Sequence, residues 1–99
     1  MADSYRGYLL IRLARIGTEW EISERMMAMN DPKGDWEVTF ASPIYGSWDV
    51  LVEISFKKLE DLDTVVTALR SDDNIRDSIE ETTTLVSSRA NYEIGRAHV

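Results

Sequence analysis

The chain has 99 residues, 43% of them hydrophobic and 29% charged, with a formal net charge of −7. That length fits one domain with a modest core, which association would help to complete. It has no cysteine, which excludes disulfides and thiolate metal sites. The acidic balance argues against direct binding of nucleic acid, which needs clustered Lys and Arg. The basic residues Arg12, Arg15, Lys57, Lys58, Arg70 and Arg76 are scattered and read as solvated surface charge. No apolar run approaches the roughly 18 residues of a membrane span. Met1-Ala2-Asp3-Ser4 lacks a secretory pattern, so no membrane association and a cytoplasmic location are expected.

The first predicted element is a strand over 8–13. Leu9, Ile11 and Leu13 face one way and Tyr8, Leu10 and Arg12 the other. Gly17-Thr18 then opens a helix, with Thr18 and Glu21 spaced as a capping box. Ile22, Met26 and Met29 form its buried stripe, the methionines acting as soft core filler. The turn-rich run Asn30 to Asp35 ends it. A second strand is predicted over 36–45, with Trp36, Val38 and Phe40 on one face. Pro43 cannot donate to a ladder, so this strand belongs at an edge.

The most telling stretch runs from Tyr45 to Phe56. Gly46-Ser47 makes a tight corner joining the second strand to a third in an antiparallel hairpin. Trp48, Val50, Val52, Ile54 and Phe56 fall on one face at period two, too apolar to stay in water. Leu51 marks the opposite face as partly covered, so this strand is central. Asp49 sits beside the corner, where backbone N–H groups of a glycine turn are left unpaired and suit a small ligand. A second helix follows over 59–69, its stripe formed by Leu59, Leu62, Val65, Val66 and Leu69. Glu60, Asp61 and Asp63 suit the dipole of its first turn and Arg70 that of its last. A fourth strand is predicted over 78–88, favoured by β-branched Thr82-Thr83-Thr84.

Strand, helix, strand, strand, helix, strand is the ferredoxin-like α+β arrangement, βαββαβ. It predicts a four-stranded antiparallel sheet of order 4-1-3-2 with two helices on one face. The other face carries Tyr8, Leu10 and Leu51. It is mixed rather than polar, so these residues are the expected interface with a second copy in a dimer.

Tyr45-Gly46-Ser47-Trp48-Asp49-Val50-Leu51-Val52, then Leu59-Glu60-Asp61-Leu62, then Ile75 and Thr82-x-Thr84-Leu85-Val86, resemble the ligand-sensing (RAM) domain of Lrp/AsnC transcription regulators. The resemblance covers residues 6–89. The family pattern is a Gly, two variable positions with the second usually aromatic, an Asp and an apolar strand. Gly46, Trp48 and Asp49 match it, as Thr82 and Thr84 match its later threonine pair. It implies a homodimer paired through its sheets, assembly of dimers into a higher, ring-like oligomer, and a small amino-acid effector bound between subunits near the corner.

Carried over, Tyr45, Gly46, Ser47, Asp49, Thr82 and Thr84 are the expected ligand-binding residues. Gly46 and Ser47 present backbone groups, Asp49 accepts from an α-ammonium group, and the threonines add hydroxyls. Each has a plainer reading: Gly46 as a turn residue, Asp49 as a hairpin cap, the threonines as strand formers, Trp48 as core or interface. The family's N-terminal DNA-binding domain is missing from these 99 residues, so a stand-alone sensing domain is expected, with a DNA-binding relative of the Lrp/AsnC type as a further partner.

Two other classes remain open. One is a small ferredoxin-like dimeric enzyme of monooxygenase or isomerase type, for which Asp49 with Tyr45 is too thin a pair to supply acid and base. The other is a purely structural assembly module. No catalytic residue, cofactor or metal is expected, since adjacent Glu80 and Glu81 point to opposite faces of a strand. Residues 93–99 are expected to be a non-native tail, because Ile94-Gly95-Arg96-Ala97-His98-Val99 matches one reading frame of a widely used sequencing adapter. The one histidine, His98, is left out of the chemistry for that reason.

Overall fold

A computed structural model describes residues 4–87. The expected tail at 93–99, with His98, and the last expected strand residue, Ser88, lie outside the described residues. In chain order the elements are β1 (Tyr5–Leu13), α1 (Glu19–Met27), β2 (Trp36–Pro43), β3 (Val50–Phe56), α2 (Leu59–Ser71), a short 3-10 turn (Arg76–Ser78) and β4 (Ile79–Val86). The sheet order is β2-β3-β1-β4, with every neighbouring pair antiparallel. This is the ferredoxin-like arrangement expected from the sequence. No helix among the described residues is long and apolar enough to cross a membrane.

The alternation in β1 and β3 builds the core. Leu9 pairs with Val52 and Ile11 with Val50, and all four are fully buried. Ile54 and Phe56 continue the same face, against which α1 lays Ile22 and Met26 and α2 lays Leu62, Val65 and Leu69. Gly7 lets α2 come close. A Cβ there would meet the Leu62 side chain at 3.1 Å and the Phe56 ring at 3.1 Å. Arg25 of α1 reaches Asp72 just beyond α2 at 3.2 Å and so ties the helices together.

Several local expectations are corrected. The Thr18–Glu21 capping box does not form. Thr18 has φ −106° and ψ 6° and makes no side-chain cap bond, because its backbone is not in the extended region that aims an N-cap hydroxyl at the first turn. Glu19 does the local work instead, its Oε1 accepting the Gly17 N–H at 2.7 Å, while Glu21 pairs with Arg25. On α2 the carboxylate of Asp61 reaches back to accept the N–H groups of Lys57 and Lys58 at 3.2 and 3.0 Å. Leu59, expected in the buried stripe, is mostly exposed, since it stands at the first helical position, outside the contact with the sheet.

Phe40 is the largest correction. Pairing of β2 with β3 slips between Val38, opposite Ile54, and Phe40, opposite Glu53. Thr39 is the extra residue, a β-bulge that turns the rest of the strand over. Phe40 therefore leaves the core face and stands 48% exposed on the other side, while Ala41, opposite Val52, takes its place. β2 is an edge strand, as Pro43 required, and Pro43 is its last residue. The turn-rich segment folds back over that edge: Asn30 bridges to Glu37, and the Asp31 N–H donates to the Trp36 carbonyl at 3.1 Å.

Candidate functional site

The β2–β3 corner is held from several sides. Gly46 has φ +128°, in the region that glycine alone enters without strain. The Ile44 N–H donates to the Asp49 carbonyl at 2.9 Å and closes the loop. Asp49 then grips the end of β1 twice. Its N–H donates to the Ile11 carbonyl at 2.9 Å, and its Oδ2 accepts the Leu13 N–H at 2.8 Å. Leu13 follows the position where β1–β4 pairing slips, so this carboxylate serves a backbone donor at an irregularity of the ladder. The hairpin-cap role is thus visible in the contacts of Asp49.

A cleft of about 420 Å³ opens beside this corner, lined by Gly17, Glu19 and Trp20 from the start of α1 and by Pro43, Ile44, Tyr45, Gly46 and Asp49. Its volume is that of a small-molecule site. Three of the expected ligand-binding residues, Tyr45, Gly46 and Asp49, therefore line it together. Glu19 and Trp20 line it too, and the sequence reading did not select them. Trp20 did carry a signal: it falls two residues before Ile22, off the buried stripe, and is 71% exposed.

The remaining expected residues are not in its lining. The Ser47 carbonyl accepts from Arg12 Nε at 3.2 Å. The Arg12 guanidinium also lies 4.5 Å from the centre of the Trp48 ring and pairs with Glu81 at 2.8 Å. Arg12, read from sequence as solvated charge, thus staples the corner to β4. Trp48 precedes β3 and is only partly buried, so it does not extend the core face as its period-two position predicted. The local bend at Asp49 breaks that alternation.

Thr82 and Thr84 pair with Ile11 and Leu9 and so stand on the helix side of the sheet, with Arg70 donating to the Thr82 hydroxyl at 3.2 Å. Val50 and Thr82 flank Ile11 from opposite strands, which separates them by about two strand spacings, roughly 10 Å. Neither threonine lines the cleft.

The face of the sheet away from the helices brings the three expected interface residues together. Leu10 pairs with Leu51 and with Thr83, and Tyr8 with Glu53 and Leu85. Phe40 and Leu85 join them, each about half exposed. In their midst Glu53, only 8% exposed, accepts from Arg6 Nη1 at 2.9 Å and from the Thr39 hydroxyl at 2.8 Å. The bulge residue thus ends as a partner of the buried carboxylate.

No family model matches the chain, and no curated protein does. Solved structures do. FFRP-DM1, whose name places it with the FFRP or Lrp/AsnC proteins, is 29% identical, with a TM-score of 0.63 over 84% of this chain and 97% of its own. The hypothetical protein PHS023 from Pyrococcus horikoshii matches at the same identity and TM-score, over 84% of this chain and 88% of its own. The chain is similar in fold to an Lrp/AsnC-type regulatory domain. These matches cover most of both chains, in line with the resemblance drawn from the corner, second-helix and threonine motifs.

Proposed function

We propose that the chain is a non-enzymatic sensing and oligomerisation domain of the Lrp/AsnC type, cytoplasmic, which binds a small amino-acid effector at the β2–β3 corner. The observation that supports the reading is a cleft with Tyr45, Gly46 and Asp49 in its lining, in a chain similar over most of its length to FFRP-DM1. The effector's ammonium group bonds Asp49 Oδ1, the oxygen that Leu13 does not use. The corner backbone at Gly46 and Ser47 receives the rest of the effector, and Thr82 and Thr84 take part only as groups brought from another subunit. Assembly runs through the open sheet face, where Tyr8, Leu10, Leu51, Phe40 and Leu85 meet their counterparts in a second copy. Dimers then associate further, and mixed assembly with a DNA-binding relative gives the regulatory output, an extension that rests on fold analogy.

Two measurements on the full chain test this reading. Sedimentation without ligand should give a dimer or larger species. A panel of the common amino acids should raise the melting temperature for one or a few of them, through mass action on the folded state. A monomer at high concentration that ignores the whole panel would overturn the proposal. The pure assembly reading keeps one specific support, the use of Asp49 to hold Leu13. It predicts an oligomer whose size and melting temperature ignore every amino acid.

A further inference from the structure

The effector reading leaves open which side chain the ligand carries, and the geometry points to a cationic one. Resting on that reading, we infer that the cleft selects a short aliphatic chain with an ammonium group at each end, as in a lysine-like amino acid or a diamine.

The lining contains two carboxylates, Glu19 from the start of α1 and Asp49 from the β2–β3 corner, and no Lys or Arg among the described residues. Each carboxylate spends one oxygen on a backbone N–H, of Gly17 and of Leu13. Among the described residues neither forms an ion pair. The ion pairs among the described residues form elsewhere: Arg6 with Glu53, Arg12 with Glu81, Arg25 with Glu21 and Asp72, Lys57 with Asp35, Arg76 with Asp73. Arg12, which reaches the same corner, is engaged with the Ser47 carbonyl, the Trp48 ring and Glu81.

Two further residues of the lining, Trp20 and Tyr45, are highly exposed. Aromatic rings of this kind attract ammonium groups through the negative potential of their faces, tryptophan most strongly. Two carboxylates without an ion-pair partner among the described residues, with two aromatic rings around one cleft, favour positive charge and oppose an acidic side chain. Asp49 takes the ammonium group that any amino-acid effector carries. Glu19 and Trp20, brought to the cleft by α1, are left for a second cation, and they are the residues that set specificity.

Isothermal titration calorimetry of the full chain with L-lysine, 1,5-diaminopentane, L-leucine and L-glutamate tests this. Binding of at least one diammonium compound should exceed that of leucine and glutamate by about tenfold or more, the equivalent of one well-placed charge contact. Glu19→Gln keeps an oxygen for the Gly17 N–H, and Trp20→Leu removes an exposed ring, so both variants should fold as the parent does. The first should weaken diammonium binding about fivefold to tenfold and the second about twofold to fivefold. Lysine without the diamine assigns the site to an amino acid, and both together to the diammonium pattern alone. The inference is overturned if leucine or glutamate binds as tightly as the better of the two diammonium compounds, or if neither substitution changes the preference. In that case the effector reading survives on the ligand that does bind. Silence towards all four compounds overturns the inference too, and the effector reading falls with it only if the full amino-acid panel also leaves the melting temperature unmoved.

Discussion

Removing Arg6 should expose how much the open sheet face depends on one buried ion pair. Arg6 Nη1 lies 2.9 Å from Glu53 Oε1, and the two side chains are only 18% and 11% exposed. Breaking a fully buried pair by deleting one partner costs about 3–5 kcal/mol, because the other charge stays behind without compensation. The residual exposure lowers that figure, and the Thr39 hydroxyl still donates to the same carboxylate oxygen at 2.8 Å, so about 2–3 kcal/mol is expected for Arg6→Met. In a domain of this size that shifts the melting temperature by roughly 10–20 °C. Replacing both members, Arg6→Met with Glu53→Gln, should recover most of the loss, since no net charge then remains buried. The assay is a double-mutant cycle by urea denaturation at fixed protein concentration, so that any self-association is held constant. An Arg6→Met variant within about 0.5 kcal/mol of the parent, the usual range for surface changes, would refute the reasoning.

Other perturbations separate the roles assigned above. Asp49→Ala strands the Leu13 N–H and should cost about 1–3 kcal/mol in chemical denaturation, whereas Asp49→Asn keeps an acceptor and should cost clearly less. A Cβ at Gly46 meets nothing within 4 Å, so Gly46→Ala should lose only the conformational cost of its positive φ, about 1–3 kcal/mol, with no change in core packing by near-ultraviolet circular dichroism. Gly7→Val would drive branched carbon into Leu62 and Phe56 and should cost about 1–3 kcal/mol or more. On the open face, Leu10→Asp should shift the sedimenting species towards monomer, and an unchanged assembly would show that the chain associates through another surface.

Much of the fold was legible because its central strands obey simple periodicity. Leu9, Ile11 and Leu13 in β1 and Val50 to Phe56 in β3 alternate cleanly, and α2 carries its stripe at helical spacing. Pro43 placed β2 at the edge. The misreadings arise where a single residue breaks a period. Thr39 is an ordinary strand former, and nothing in its identity announces that it will be the extra residue that sends Phe40 to the far face. Trp48 continues the alternation backwards on paper, but Asp49 bends the chain to serve Leu13. Nothing in the sequence marks Glu53 for burial, and the arrival of Arg6 and Thr39, from 47 and 14 residues away, makes that burial tolerable. The cleft was half legible for the same reason. Tyr45, Gly46 and Asp49 are neighbours in sequence. Glu19 and Trp20 reach them only through the docking of α1, and one sequence gives no distance between separate segments.

The bulge at Thr39 has one more effect, on what can attach to this sheet. A bare edge invites another chain to add its own strand. On the β2 side the invitation is withdrawn three times, by the Asn30–Asp31 segment laid over Trp36 and Glu37, by the kink at Thr39, and by the missing donor of Pro43. β4 has an edge of its own, with Glu80 and Glu81 near its start but no proline within it. Runaway stacking of sheets, if the protein is partly unfolded or overproduced, would therefore begin at the threonine-rich strand. A proline or lysine placed there, clear of the ladder with β1, is the change that would guard against it.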